Sequence, residues 1–198
     1  MGGLAGCNDL IRSIRDYTRK AETKKSWPSR TGSESTTITF DDSDLEGLDF
    51  PHNDPLVVEL LFRESEVTRI LIDIGSSVNV IFGNVLAQME VSESDIRLEC
   101  HSLTGFDGYH LMSVGTIDQP IFVGGMARYS QFVVIDKPTI YIVILGTPWL
   151  HKMRAVPSTY HQCVKFLTPK GVFPLHGNQQ RARTCFLIEH KIRAAKKL

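Results

Sequence analysis

The sequence predicts an all-β domain, a closed or sandwiched set of short strands around one small core. Three observations carry this. Short runs rich in β-branched and aromatic residues recur from Leu56 to Leu167, the composition that suits a pleated, half-buried surface. Gly, Pro and polar turn residues fall between them. Helical spacing appears once within that span, at Val80, Ile81, Val85, Leu86 and Met89. The chain has 198 residues, 42% hydrophobic and 22% charged, enough for one ordinary globular domain with tails.

Residues 1–50 read as a flexible linker, basic up to position 31 and acidic from 34 to 49. A short amphipathic helix is expected from Asn8 to Lys20, with Leu10, Ile11 and Ile14 on one face. Lys24 to Ser29 and Gly32 to Ser35 read as connecting chain, and Thr37–Phe40 as a short strand. The folded part is expected from about residue 51. Leu56–Phe62 and Val67–Ile72 form two strand patterns with the polar turn Arg63–Glu66 between them. Asn84–Met89 is a short helix and Ser92–Ile96 a turn. Strands follow at Gly115–Val123, Tyr129–Ile135, Ile140–Leu145 and Gln162–Leu167. Residues 177–198 read as a basic tail or connector, helical from Arg181. No internal repeat is present.

Much chemistry is excluded by spacing. Cys7, Cys100, Cys163 and Cys185 form no C-x-x-C pair, and the seven His do not cluster at ligand spacing. No metal or cofactor is therefore expected. Gly124–Gly125 lacks the Lys-Ser/Thr of a phosphate loop, and no G-x-S-x-G elbow surrounds Ser76. A formal net charge of zero gives no whole-chain attraction to nucleic acid or membrane. The basic ends read as solvated tails. No apolar run has bilayer-spanning length. Met1-Gly2-Gly3 carries Gly6 where an acylation signal has Ser or Thr. With no secretory pattern, an intracellular, cytoplasmic location with reduced thiols is expected.

The residues richest in chemistry are Ile70-Leu71-Ile72-Asp73-Ile74-Gly75-Ser76-Ser77. An apolar run drives into one Asp, and Gly75 permits a sharp turn. An Asp so placed either starts a surface β-turn or is a catalytic acid held among backbone N–H groups and hydroxyls. About seventy residues on, Tyr141 to Leu145 repeats the apolar run and ends in Gly146.

Together the two segments resemble a retropepsin-like aspartic protease. There, one strand ends in Asp-Thr/Ser-Gly and a later one in two apolar residues and Gly. Asp73-Ile74-Gly75 matches the first, and Ile144, Leu145 and Gly146 match the second as the psi-loop. Leu103-Thr104-Gly105-Phe106-Asp107-Gly108 looks like the flap, with Val114–Ile117 and Pro120–Ile121 as its return strands. Ser158-Thr159-Tyr160-His161 and Lys165-Phe166 are most similar to the protease region of plant gypsy-type retrotransposon gag-pol polyproteins. The Met1–Gly6 start resembles the Gly-rich junction upstream of the protease there, and the resemblance implies a piece of a longer reading frame.

The resemblance implies a retropepsin-like closed β-barrel (the acid protease fold, a single half) over residues 51–176, with one short helix and a flap hairpin. Asp73 is then the catalytic acid/base, Gly75 admits backbone N–H groups to its carboxylate, and the Ser76 hydroxyl bonds the outer carboxylate oxygen. Gly105, Phe106 and Gly108 serve the flap, which covers an extended polypeptide substrate. With one Asp element per chain, the partner is a second copy, in a homodimer. Ile74 departs from the family, whose Thr or Ser braces the two loops across the dimer. The alternative is therefore a catalytically inactive remnant, or an adaptor that uses the fold to dimerise or bind peptides.

Overall fold

The computed structural model describes residues 37–63, 65–105, 108–137 and 140–195. The helix expected at Asn8–Lys20, the linker to Ser35, Phe106 and Asp107 lie outside them.

Six strands close a barrel, in the order Val57–Phe62, Ser65–Ile72, Val143–Leu145, Val80–Phe82, Met126–Ile135 and Gly115–Val123. β1 (Val57–Phe62) and β2 (Ser65–Ile72) form the expected hairpin, with Val57 opposite Leu71 and Phe62 opposite Ser65. β3 (Val80–Phe82) leads into α1 (Gly83–Gln88), the helix predicted at Asn84–Met89. β4 (Ser102–Thr104) and β5 (His110–Met112) form a separate hairpin where the flap is expected. β6 (Gly115–Val123) and β7 (Met126–Ile135) are the long antiparallel pair. β8 (Val143–Leu145) inserts between β2 and β3, parallel to β2 and antiparallel to β3. Contact of Leu61 and Phe62 with Phe122 and Ile121 closes the circle. Phe62, Ile70, Ile81, Ile117, Ile121, Phe132 and Leu145 fill the interior, and the Phe62 and Phe132 rings lie 5.7 Å apart. Alternation along β6 points Ile117, Gln119, Ile121 and Val123 inward.

After the barrel comes α2 (Thr147–Met153), where the sequence predicts a break. Pro148 sits in its first turn, where the missing N–H is harmless, and Trp149, Leu150 and Met153 are buried. β9 (Val156–Ser158), β10 (Cys163–Thr168) and β11 (Gly171–His176) then form a three-stranded sheet in the order β11-β10-β9. β9 and β11 are not in the predicted strand list. Pro157 lies opposite Val164 and Pro174 opposite Lys165, and a proline within a short run argues against a strand from sequence alone.

Thr37–Phe40, expected as a strand, is irregular. It lies across side chains instead of along a strand edge. Lys165 donates to the Thr39 carbonyl at 2.9 Å, its ammonium stands 4.9 Å from the Phe40 ring centre, and that ring is 5.1 Å from His161. The acidic run beyond it makes specific contacts. Asp41 caps a 3₁₀ turn, Asp42–Leu45. The Asp44 carboxylate takes Lys165 on both oxygens, at 2.6 and 2.7 Å, with both side chains nearly buried. Hydrogen bonds from Lys165, then from the Asp41 backbone, hold the Asp44 carboxyl below its ordinary range. Burial, reinforced by Asp44, pushes the adjacent Cys163 thiol up to about 11.

α3 (Gln179–Ala195) starts two residues before the predicted Arg181. Asn178 accepts from the Arg181 N–H at 3.0 Å, as a helix N-cap does. Ala182 and Cys185, one turn apart, are fully buried, and the helix lies against β1 and β2. Arg183 bridges Asp49 and Asp54. No helix among the described residues is long and apolar enough to cross a membrane.

Candidate active site

The ends of β2 and β8 build the site. Leu71 and Ile72 stand beside Ile144 and Leu145 in parallel register. One residue past β2, the Asp73 N–H donates to the Leu145 carbonyl at 3.0 Å, so Asp73 is fixed where the strands stop. The chain then turns at once. The Gly75 N–H donates to Asp73 Oδ1 at 2.8 Å, and the Ser76 N–H to the Asp73 carbonyl at 3.3 Å. A Cβ on residue 75 would sit 3.2 Å from that carboxylate oxygen, a tight contact, so glycine favours the approach. The turn presents a half-buried carboxylate with one backbone donor in place.

The Ser76 hydroxyl donates to the Val78 carbonyl at 2.7 Å, and it closes its own turn instead of bonding the Asp73 carboxylate as the resemblance implies. The Ser76 carbonyl accepts twice from Thr147, from N–H at 2.9 Å and Oγ1 at 3.0 Å. Gly146 packs so closely that a Cβ there would meet the Val78 carbonyl at 2.3 Å and the Ser76 carbonyl at 2.7 Å. Asn79, 3% exposed, accepts from the Gly146 N–H at 3.0 Å and donates to the Gln131 carbonyl at 2.9 Å. Sequence reasoning missed Asn79 and Thr147. A lone amide leading an apolar strand is the signal that marks Asn79, because a buried amide needs a full set of partners.

The outer face of these strands is apolar as well. Val80, Phe82, Val133 and Ile135 form a second buried cluster, with Val78, Ile144, Leu103 and Leu111 against it. Leu103 and Leu111 belong to the β4–β5 hairpin, so the hairpin covers the sheet face beside the Asp73 turn. At its tip the Gly105 N–H donates to the Tyr109 carbonyl, and the Gly108 N–H to the Gly105 carbonyl, each at 3.0 Å. Gly108 has φ of +78° with open space around it, a conformation glycine adopts freely. Phe106, expected to cover substrate, lies outside the described residues. Ile74 is 70% exposed, an apolar side chain in water at the crest of the turn. No group of three His, Cys, Asp or Glu side chains among the described residues is placed to hold a metal ion.

No family model matches the sequence, and no curated protein does. Solved structures do. The retroviral protease-like domain of Ddi1 from Leishmania major overlays with a TM-score of 0.51 at 14% identity, over 64% of this chain and 96% of that domain. The EIAV protease in complex with an inhibitor gives 0.43 at 16% identity, over 56% and 99%. A retropepsin-like aspartic protease from Rickettsia conorii gives 0.37 at 10%, over 60% and 77%. The chain has the closed β-barrel fold of the retropepsin-like aspartic proteases.

Proposed function

We propose that this chain is an aspartic endopeptidase that works as a homodimer, with Asp73 of each copy meeting at the two-fold axis. The observation that carries the reading is Asp73 itself, fixed at the paired ends of β2 and β8 by its bond to Leu145 and set beside an apolar face roofed by a hairpin. Two carboxylates brought together cannot both ionise, so the pair shares a proton and titrates as a unit. The ionised member takes a proton from a trapped water, and the protonated member supports the carbonyl oxygen of the scissile amide. The substrate lies extended between sheet face and hairpin, bonded along its backbone like an added strand. Gly108 at the hairpin tip permits opening and closing. Asp73, Gly75 and Ser76 form the catalytic turn, Ile144, Leu145 and Gly146 support it, and Gly105, Phe106 and Gly108 serve the flap.

The wording of the motifs supports a retrotransposon gag-pol polyprotein of the plant gypsy type as the origin. Residues 51–176 are then the protease domain and 177–198 the connector beyond it. The setting is the cytoplasm, where such a polyprotein is translated. Exposed Ile74 favours a second reading, a chain that keeps the fold to dimerise or bind peptides without hydrolysis. Ile has no hydroxyl to brace a partner's loop.

Cleavage of a mixed peptide library at about pH 5 by wild type, Ile74→Thr and Asp73→Asn separates the two. The endopeptidase reading expects wild type to cut and Asp73→Asn to be silent. Cleavage by Asp73→Asn at the wild-type rate would remove Asp73 from the mechanism. Silence of wild type and Ile74→Thr alike would leave the binding module as the function.

A further inference from the structure

The Asp73 turn is held by consecutive residues of one neighbouring segment. The Leu145 carbonyl accepts from the Asp73 N–H at 3.0 Å. The Gly146 N–H donates to the Asn79 side chain at 3.0 Å. Thr147 donates to the Ser76 carbonyl from its N–H at 2.9 Å and from Oγ1 at 3.0 Å. The bonds from Asp73 to Leu145 and from the Thr147 N–H to Ser76 join backbone to backbone, and most residue types could make them. The bond at Gly146 ends on a side chain, so it depends on which residue stands at position 79.

Asn79 joins two strands that the turn must bring together. Its own carbonyl accepts from the Val133 N–H at 2.8 Å, and its amide donates to the Gln131 carbonyl at 2.9 Å. Both bonds fix it to β7, and its third bond reaches Gly146 at the end of β8. The residue is 3% exposed, so water does not replace a lost partner. A side-chain amide suits the place because it offers an acceptor and a donor at one reach. A hydroxyl is shorter, and an aliphatic side chain bonds neither group. There is no slack around Gly146, where a Cβ would meet the Val78 and Ser76 carbonyls. Movement of Gly146 is therefore passed to Ser76 and Val78 directly, and to Asp73 through Leu145.

We infer that Asn79 is a positioning residue for Asp73. Its amide locks the end of β8 to β7 and so sets where the Asp73 carboxylate stands. Asn79 acts through Gly146 and Leu145 and touches no reacting atom. The inference rests on the endopeptidase reading for its effect on rate, and it adds to that reading the device that aims the carboxylate.

The test uses the full chain and a peptide that wild type cuts. Asn79→Val removes both side-chain bonds. Asn79→Thr has the same shape as that variant but keeps a hydroxyl that can serve one partner. Asn79→Val is expected to lose about a hundredfold in kcat, the cost of misplacing a reacting group by about an ångström, with KM little changed. Asn79→Thr should recover about tenfold of that loss, the worth of one hydrogen bond made in the transition state. Near-ultraviolet circular dichroism shows which variants are folded under assay conditions. If Asn79→Val is not folded, Asn79→Thr decides by its own tenfold deficit. Wild-type kcat in a folded variant, or a loss carried in KM alone, overturns the inference and leaves the protease intact. If wild type cuts no peptide, the endopeptidase reading fails first. The Gly75 amide resonance, whose N–H donates to Asp73 Oδ1 at 2.8 Å, then decides the positioning. It should move as Asp73 ionises in wild type and move less in the folded variants, and the same pH course in all of them sinks the inference.

Discussion

At the scale of single residues, Ile74 and Gly146 set opposite kinds of limit. Ile74 stands in water at the crest of the turn, where a hydroxyl would have a partner in the proposed dimer. Ile74→Thr supplies one cross-dimer bond from each copy, at about 1 kcal/mol apiece. Association should then tighten by roughly thirtyfold, read by sedimentation at matched concentrations. Unchanged sedimentation would count against any bracing role for this position. Gly146 is constrained from within. The Val78 and Ser76 carbonyls occupy the space a methyl group would need, so Gly146→Ala must push the Asp73 turn off β8. Unfolding in urea should show a loss of about 1–3 kcal/mol, as overpacking does, and activity should fall further than stability.

At the scale of elements, the acidic segment and α3 hold the satellite sheet to the barrel. Asp44 is the testable joint. Its folded-state carboxyl sits below the ordinary value because Lys165 favours the ionised form. A carboxyl lowered on folding stabilises the folded chain fully above its unfolded value, near pH 4. That stability is lost as pH falls through the still lower folded-state value. Asp44→Asn should therefore lower stability at neutral pH by about 1–3 kcal/mol and flatten the acid limb below about pH 4. Thermal melts from pH 7 down to pH 2 would show it, and parallel curves for the two proteins would refute the clamp. An assay near pH 5 lies above that window, so the clamp stays closed while the proposed shared proton is present. α3 is less easily replaced. Without it, the strand surfaces that bury Ala182 and Cys185 face water, and a chain ending at Asn178 should melt at a lower temperature than the full chain.

At the scale of the whole molecule, the described residues hold one Asp turn at paired strand ends where the proposed chemistry needs two. Specific activity should therefore rise with protein concentration until the dimer is populated, and a dilution series giving constant specific activity would exclude a dimeric site. Much of this was legible in the sequence. Period-two strands, Gly75 and Gly146 are local signals, and β1, β2, α1 and the Asp73 turn lie where those signals put them. What the sequence hid has two physical causes. Pro148, Pro157 and Pro174 obscured α2, β9 and β11, because proline is read as a breaker before its neighbours are known. Contacts between distant residues left no local trace. Asp44 meets Lys165 across 121 positions, and Asn79 meets Gly146 across 67. The same prolines shape what other chains can do. β9 and β11 are the two free margins of the satellite sheet, and each presents a pyrrolidine ring where a bare strand would offer an N–H. Neither margin is a template for growth by another strand. Such blunting keeps this sheet from zipping into fibrils by strand addition, and it leaves side-chain faces as its route of contact with other chains.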